Sequence, residues 1–253
     1  GYVGGDEPFV GIMAFSDPEM TVCVTSADRA ENDDPVSAGE AMALTALDAA
    51  EEDYAADYFY MAASPAEEEF YVKGISNVMG RIPLFGGSAA DNTIAGNWKL
   101  YTDGDSFADG CIAAFFWGGP DMTNMFTGAY RETDDFGVIT KIDGIRTIAE
   151  IDGVPAAKKY QEWTGCSDDD IAGGNLLAYS VTSPLGVKDR LGDLIAIRHP
   201  MNGNDDFSIN VGNNLAEKTC VIRMEATVDE LIQSVPDTLS LIHISEPTRH
   251  SLI

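Results

Sequence analysis

Short apolar runs alternate with helix-like segments through the first third of the chain, and this alternation limits its fold more than any other feature. The first segments are β-type runs at Val10–Phe15 and Thr21–Thr25, followed by a helix with a capping box at Ser37 and Glu40. A strand at Asp57–Ala63 comes next, and then a helix that is capped by Ser64 and ends at Gly80. A buried strand follows at Ile82–Phe85. Two further strands, Asn97–Tyr101 and Cys111–Trp117, are predicted to pair antiparallel. This order predicts an α/β (α+β) fold of layered, mixed β-sheets with flanking helices.

The stretch RIPLFGGSAADN, residues 81–92, is typical of a pocket wall. Gly86 and Gly87 follow the predicted strand and let the backbone turn sharply, so that a ligand can approach the main chain. The small residues that start at Ser88 leave open volume beside that turn. The stretch lacks the Gly-Lys-Ser/Thr ending of a phosphate loop and the spacing of a dinucleotide motif, which argues against a nucleotide.

Two interpretations of residues 81–92 remain open. In the first, backbone N–H groups hold a carboxylate while Asp91 receives a cationic group and Asn92 lies beside it, an arrangement that suits a zwitterion such as an amino acid. In the second, the stretch is a structural turn in which Asp91 or Asn92 caps a neighbouring segment.

The acidic composition argues against nucleic acid and membrane partners. The 253 residues include 42 Asp and Glu against 15 Lys and Arg, for a formal net charge of -27, and such a field repels nucleic acids and anionic membrane surfaces. No apolar run reaches the ~20 residues of a membrane span. Cys23, Cys111, Cys166 and Cys220 lie far apart, which disfavours zinc or a disulfide framework and favours a cytoplasmic location.

The pattern offers no catalytic, metal-binding or cofactor-binding signature. Ser88 lacks the G-x-S-x-G setting of an activated serine. His199, the one histidine before the C-terminal tail, precedes a proline. Asp168–Asp170 lacks the ligand spacing of a calcium loop. We therefore predict a protein that is not an enzyme and needs neither metal nor cofactor.

Strands dominate the second half of the sequence. A hairpin is predicted at Thr140–Ile151 around an Asp-Gly turn, and a strand at Asn175–Val181. Arg198 ends a β run and can bind a ligand carboxylate, while Asn175 and Asn210 border strands and can donate to a ligand. The alternatives are an ion pair for Arg198 and turn capping for the asparagines.

Both ends of the sequence suggest a fragment. The chain starts at Gly1 and soon enters an apolar run, so we expect the true N-terminus to be missing. The string LSLIHISEPTR, which begins at Leu239, is identified as the translation of a transposase adapter used in sequencing libraries. Residues 239–253 are therefore predicted to be a non-native tail. It would cut short a helix that opens with a capping box at Thr227 and Glu230.

The order of motifs resembles the FIST (F-box and intracellular signal transduction) family. The GGSAAD stretch is followed by a W-x-L-Y strand and CIAAFF, and the second half contains IDGVPAAKKYQEW, NLLAYSVTSPLGV, LIAIRHP and FSINV. The resemblance covers roughly residues 1–235. It implies two related halves, an N-terminal FIST part at 1–135 without its start and a C-terminal FIST part at 136–238 without its end.

The resemblance implies an intracellular sensory domain that binds a small polar ligand in bacterial and archaeal signalling, with amino acids as the proposed ligand class. It supplies no catalytic residues. We expect the ligand to lie between the halves, in a cavity lined by Gly86, Ser88, Asp91 and Arg198. Binding would shift the arrangement of the halves, and a signalling partner would detect the difference. An enzyme using the same pocket and an interaction scaffold without a ligand are the alternatives.

Overall fold

Two separate hydrophobic cores organise the chain in a computed structural model, which describes residues 12, 14, 16–91, 96–118, 127–172, 176–188 and 195–244. The chain divides into two compact units, residues 1–123 and residues 124–253. The described residues combine several β-sheets, one of them mixed, with helices, so the predicted α/β class is confirmed.

Strands and helices alternate in the first unit. Its elements are β1 (Thr21–Asp28), α1 (Pro35–Ala50), β2 (Tyr58–Ala63), α2 (Glu68–Met79), β3 (Leu84–Ser88), β4 (Leu100–Thr102), β5 (Asp105–Phe107) and β6 (Gly110–Trp117). A four-stranded sheet has the order β1-β6-β2-β3. β2 and β3 run parallel because α2 connects them as a crossover, whereas the other pairs are antiparallel.

Helices α1 and α2 share the core of this unit with one face of the sheet. Phe59 and Trp117 are buried there. The two helices approach closely at Gly39 and Gly74, where a Cβ on Gly74 would lie 2.1 Å from the carbonyl oxygen of Val36. Any larger side chain at that position would push the helices apart, so the two glycines set the spacing of the layer.

The predicted N-terminal cap of α1 is wrong. Asp34, rather than Ser37, caps the helix, and its carboxylate accepts hydrogen bonds from the backbone N–H groups of Val36 and Ser37 at 3.2 and 3.1 Å. Pro35 follows the cap and occupies the first helical position, where its fixed φ and missing N–H suit a helix start. The proline therefore marks the boundary better than the downstream Ser and Glu do.

The predicted pairing of Asn97–Tyr101 with Cys111–Trp117 is also wrong. β4 pairs with β5 through a tight turn at Asp103 and Gly104, and β6 pairs with β1 and β2. The Asp-Gly pair closes its own short hairpin, which leaves the apolar β6 free to enter the middle of the sheet. The predicted strand at Val10–Phe15 falls largely outside the described residues.

The second unit is rich in strands. Its elements are β7 (Arg131–Asp143), β8 (Thr147–Ile151), β9 (Val154–Pro155), α3 (Ala156–Thr164), α4 (Asp168–Ala172), α5 (Leu176–Ser180), β10 (Leu185–Lys188), β11 (Ile195–Arg198), β12 (Pro200–Gly203), β13 (Ile209–Val211), β14 (Cys220–Glu225) and α6 (Val228–Ile244). An eight-stranded sheet has the order β11-β10-β14-β7-β8-β13-β12, and β9 pairs with β8. The predicted hairpin is confirmed as β7–β8.

The segment predicted as a strand at Asn175–Val181 is instead the helix α5 where the structure describes it. Leu176 and Ser180, four residues apart, are both fully buried. That spacing places them on one face of a helix, and a short apolar run does not distinguish a buried helix from a strand.

The capping box at the start of α6 is confirmed. The N–H of Thr227 donates to the Glu230 carboxylate at 2.8 Å, and the N–H of Glu230 donates to the Thr227 hydroxyl at 3.2 Å. The helix continues to Ile244 and is therefore not cut short at Leu239, whose side chain is 58% exposed.

Candidate functional site

The carboxyl ends of the parallel strands β2 and β3 lie side by side in the first unit, where Ala63 is paired with Ser88. In open α/β sheets, ligands bind in the crevice at the carboxyl ends of such strands. We call the polar residues here, Ser64, Glu67, Glu68, Ser88 and Asp91, the β2–β3 site.

The glycines belong to β3 and do not form a turn after it. β3 begins at Leu84 rather than at Ile82 and continues through Gly86 and Gly87. Its predicted burial is wrong as well, since Leu84 is 39% and Phe85 is 45% exposed. The strand lies at the edge of the sheet, so it has a strand neighbour on one side only among the described residues.

The close approach at Gly86 is made by a neighbouring strand. Gly86 has a φ of 143°, and a Cβ there would lie 1.8 Å from the carbonyl oxygen of Met61 in β2. A Cβ on Gly87 would meet nothing within 4 Å. Gly86 is therefore required by the sheet, while the open space that a ligand can use lies at Gly87.

Ser88 makes a hydrogen bond within the site, and Asp91 makes one to a residue outside it. The Ser88 hydroxyl donates to the Glu68 carboxylate at the start of α2. The Asp91 carboxylate accepts from the backbone N–H of Asn97 at 2.8 Å. Ser88 is exposed and Asp91 is half-buried, so a ligand can reach both groups.

The prediction that Ser64 caps α2 is wrong. The helix begins at Glu68, and Ser64 is buried and exchanges hydrogen bonds with the backbone of Gly110 at 3.2 and 3.3 Å. Glu67 accepts a hydrogen bond from Arg29 Nε at 2.8 Å. Ser64 thus links β2 to β6, and Arg29 links the end of β1 to the start of α2.

The charges of the site favour a cationic ligand group. The hydrogen bond that Arg29 donates to Glu67 raises the pKa of the Arg29 guanidinium, and this ion pair offsets the positive charge of the arginine. The other charged groups of the β2–β3 site, Glu68 and Asp91, are carboxylates. In a chain with a net charge of -27, such a site attracts an ammonium or similar group.

A family model, the FIST N domain, matches residues 2–154, well over half of the chain. The chain belongs to the FIST family. The match includes the whole β2–β3 site and extends through β7 and β8 to Val154. FIST domains form a sensory family in signal transduction rather than an enzyme family. No curated protein matched the chain.

Two predicted ligand residues of the FIST chain lie in the second unit. Arg198 ends β11 and is half-buried, with Nη1 donating to the carbonyl of Ile197 at 3.0 Å. In β13, the Asn210 amide oxygen accepts from the Thr147 hydroxyl at 2.8 Å, and its amide nitrogen donates to the side chain of Asn204 at 3.2 Å. The amide of Asn210 is therefore engaged in a network within its own unit.

The predicted residues of β3 and Asp91 lie in the first unit, whereas Arg198 and Asn210 lie in the second. Their arrangement around one cavity stays a prediction. Asn92 and Asn175 fall outside the described residues.

The contacts of His199 are structural. Its Nδ1 lies 3.2 Å from the carbonyl of Ser180, and its ring meets Tyr130 edge-on at 6.1 Å. Burial lowers the pKa of His199, which keeps the ring neutral. The nearby Ser180 hydroxyl is fully buried and donates to the Pro200 carbonyl at 2.8 Å, so a substrate has no access to it.

Within the described part of the FIST chain, no three His, Cys, Asp or Glu side chains are grouped so that they could hold a metal ion. No helix in the same part is both long and apolar enough to cross a membrane.

Sequence reasoning missed Arg29 and Glu68 as members of this region. Arg29 directly follows β1, and Glu68 is the first residue of α2. The signal that could have identified them is the strand-helix-strand order itself, because side chains just after a strand or at a helix start meet at one edge of a sheet.

Proposed function

We propose that this FIST chain is a cytoplasmic sensory domain that binds a small polar ligand, an amino acid, at the β2–β3 site and acts without catalysis. The observation that carries the proposal is the hydrogen bond between Ser88 and Glu68 at the carboxyl ends of two parallel strands, with Asp91 three residues beyond Ser88. This is the position at which α/β sheets bind ligands, and family membership adds the sensory role.

The two ends of an amino acid suit different parts of the site. Its ammonium group would contact the carboxylates of Glu68 and Asp91. Its carboxylate would lie at the open side of Gly87, away from these acidic side chains, where a Cβ would meet nothing within 4 Å. Binding would favour one conformation of the domain, and a signalling partner would recognise that conformation.

A thermal-shift screen of the 253-residue chain with each of the twenty amino acids tests this proposal. A ligand at 100 times its Kd stabilises the folded state by about 2.7 kcal/mol, which raises the Tm by roughly 5–10 °C for a chain of this size. The absence of a shift with all twenty would rule out amino acids as the ligand class.

Matched variants locate the binding. Ser88→Ala and Asp91→Asn should reduce the shift. Ser106→Ala and Asp103→Asn change the same residue types at exposed positions of the β4–β5 hairpin and should leave it unchanged. If the control variants lowered the shift as much as the site variants, the ligand would bind elsewhere.

A further inference from the structure

One edge of β1 has no strand neighbour in the described part of the first unit. β1 pairs only with β6 among the described residues. In this antiparallel register the N–H of Arg29 donates to the Asp109 carbonyl at 2.9 Å, and alternate residues of an antiparallel strand bond to the same neighbour. The intervening residues Val22, Val24 and Ser26 therefore direct their N–H and C=O groups toward the open edge.

A slot lies beside this edge, between β1 and α1. Its volume is about 200 Å³, and its walls include Ala27, Ala38, Ala41 and Met42. Pockets for small-molecule ligands typically measure roughly 300–1,000 Å³. The slot is therefore better matched to a few side chains of an added strand than to a whole metabolite.

One polar group in the slot lacks a partner. Thr25 lines the slot, is only 9% exposed, and its Oγ1 has no hydrogen-bond partner among the described residues. A buried hydroxyl without a partner is costly. Because Oγ1 exposes less than 1 Å², a small polar side chain from an added strand would have to move the neighbouring atoms aside to give this hydroxyl a hydrogen bond.

Acidic residues flank both ends of the open edge. Asp17 and Glu19 are exposed just before β1, and Glu31 and Asp33 are exposed just after it. Complementary charge determines which partners associate quickly and specifically, so a strand with basic residues at both ends fits this surface.

We propose that the open edge of β1 binds an extended segment of a partner protein by β-sheet augmentation, with small polar residues over Thr25 and Lys or Arg at both ends. Main-chain hydrogen bonds to Val22, Val24 and Ser26 supply affinity, and the slot and the flanking acids supply specificity. This surface is separate from the β2–β3 site, so either assignment can fail without the other.

A pair of peptides tests the proposal with the full chain. The probe is a fluorescently labelled nine-residue peptide of alternating valine and serine with two lysines at each end. Its counterpart carries glutamates in place of the lysines. Fluorescence anisotropy should show binding of the basic peptide, at least tenfold weaker binding of the acidic peptide, and a loss of affinity at high salt.

Variants of β1 test the geometry. Val24→Pro removes an N–H that points to the open edge, leaves the hydrogen bonds between β1 and β6 in place, and should abolish binding. Val24→Thr keeps the N–H and the branched shape of the side chain and should bind the peptide normally. Thr25→Val removes only the hydroxyl and should weaken binding about two- to tenfold. If Val24→Pro fails to fold, the proposal is tested by Thr25→Val and by the comparison of the basic and acidic peptides.

Three results would overturn the proposal. The first is an absence of binding by the basic peptide. The second is equal binding of the basic and acidic peptides that Val24→Pro leaves intact. The third is a concentration-dependent dimer in sedimentation experiments that Val24→Pro dissociates, since the edge would then be occupied by a second copy of this chain.

Discussion

Replacing Gly86 with alanine should destabilise the first unit, whereas the same change at the adjacent Gly87 should not. A Cβ at Gly86 would lie 1.8 Å from the carbonyl oxygen and 2.8 Å from the carbonyl carbon of Met61, and the φ of Gly86 is 143°. At Gly87 a Cβ would meet nothing within 4 Å. The two substitutions are therefore chemically identical and differ only in their surroundings.

The magnitude follows from two costs at Gly86. A non-glycine residue in this backbone region costs about 1–3 kcal/mol, and overpacking adds about 1–3 kcal/mol. β3 can partly relieve the overlap by moving away from β2, because it lies at the sheet edge. We expect a net loss of about 2–4 kcal/mol for Gly86→Ala and a gain of up to ~1 kcal/mol for Gly87→Ala.

Urea unfolding measures this difference. The buried Trp117 can report on the first unit in a background where Trp98 and Trp163 are replaced by phenylalanine. With an m-value of about 2 kcal/mol/M, Gly86→Ala should lower the midpoint by about 1–2.5 M relative to Gly87→Ala. Equal midpoints for the two variants would refute the backbone geometry assigned to β3.

Three further predictions concern other parts of the fold. Ser64→Ala removes the acceptor of the buried Gly110 N–H and should cost about 1–3 kcal/mol in urea unfolding, so an unchanged midpoint would contradict that bond. Hydrogen bonds from the backbone N–H of Thr227, from Arg131 and from the Thr227 hydroxyl lower the pKa of Glu230 to about 2, from an ordinary value of 4.5. Its stabilising effect is thus complete above pH 4.5 and is lost as pH falls toward 2. Acid titration followed by circular dichroism should show a smaller loss of structure over that range in Glu230→Gln than in the unmodified chain. Identical titrations of the two proteins would contradict the assignment. A thiol reagent should modify the exposed Cys220 in the folded chain. It should modify Cys111 only after unfolding, because Cys111 is buried and burial raises its pKa. Mass spectrometry that finds early labelling of Cys111 would contradict its burial.

Local signals in the sequence predicted much of the fold. The capping box at Thr227 and Glu230 and the β7–β8 hairpin both form as predicted, because each depends on residues close together in the chain. The Asn175–Val181 strand failed, since the apolar run there does not distinguish a strand from a short buried helix.

The β3 prediction failed for a different reason. The apolar residues Leu84 and Phe85 suggested burial, but burial also depends on the position of a strand within its sheet. The pairing order that places β3 at the edge involves β6, which follows much later in the chain. No local pattern contains that information.

The candidate site was predictable in part. The sequence predicted a pocket wall in the stretch that contains Gly86, Gly87, Ser88 and Asp91. Ser88 is the last residue of the parallel strand β3, and Asp91 lies three residues beyond it. The partner of Ser88 was not predictable, because Glu68 belongs to another element and reaches the serine through the fold.

Hydrogen-deuterium exchange with and without a stabilising amino acid tests the central claim most directly. The account predicts slower exchange in the first turn of α2 and in the last residues of β3, around Glu68 and Ser88, and smaller changes in the β4–β5 hairpin. Protection confined to the hairpin or to the second unit, with the start of α2 unchanged, would contradict the assignment of the ligand to the β2–β3 site.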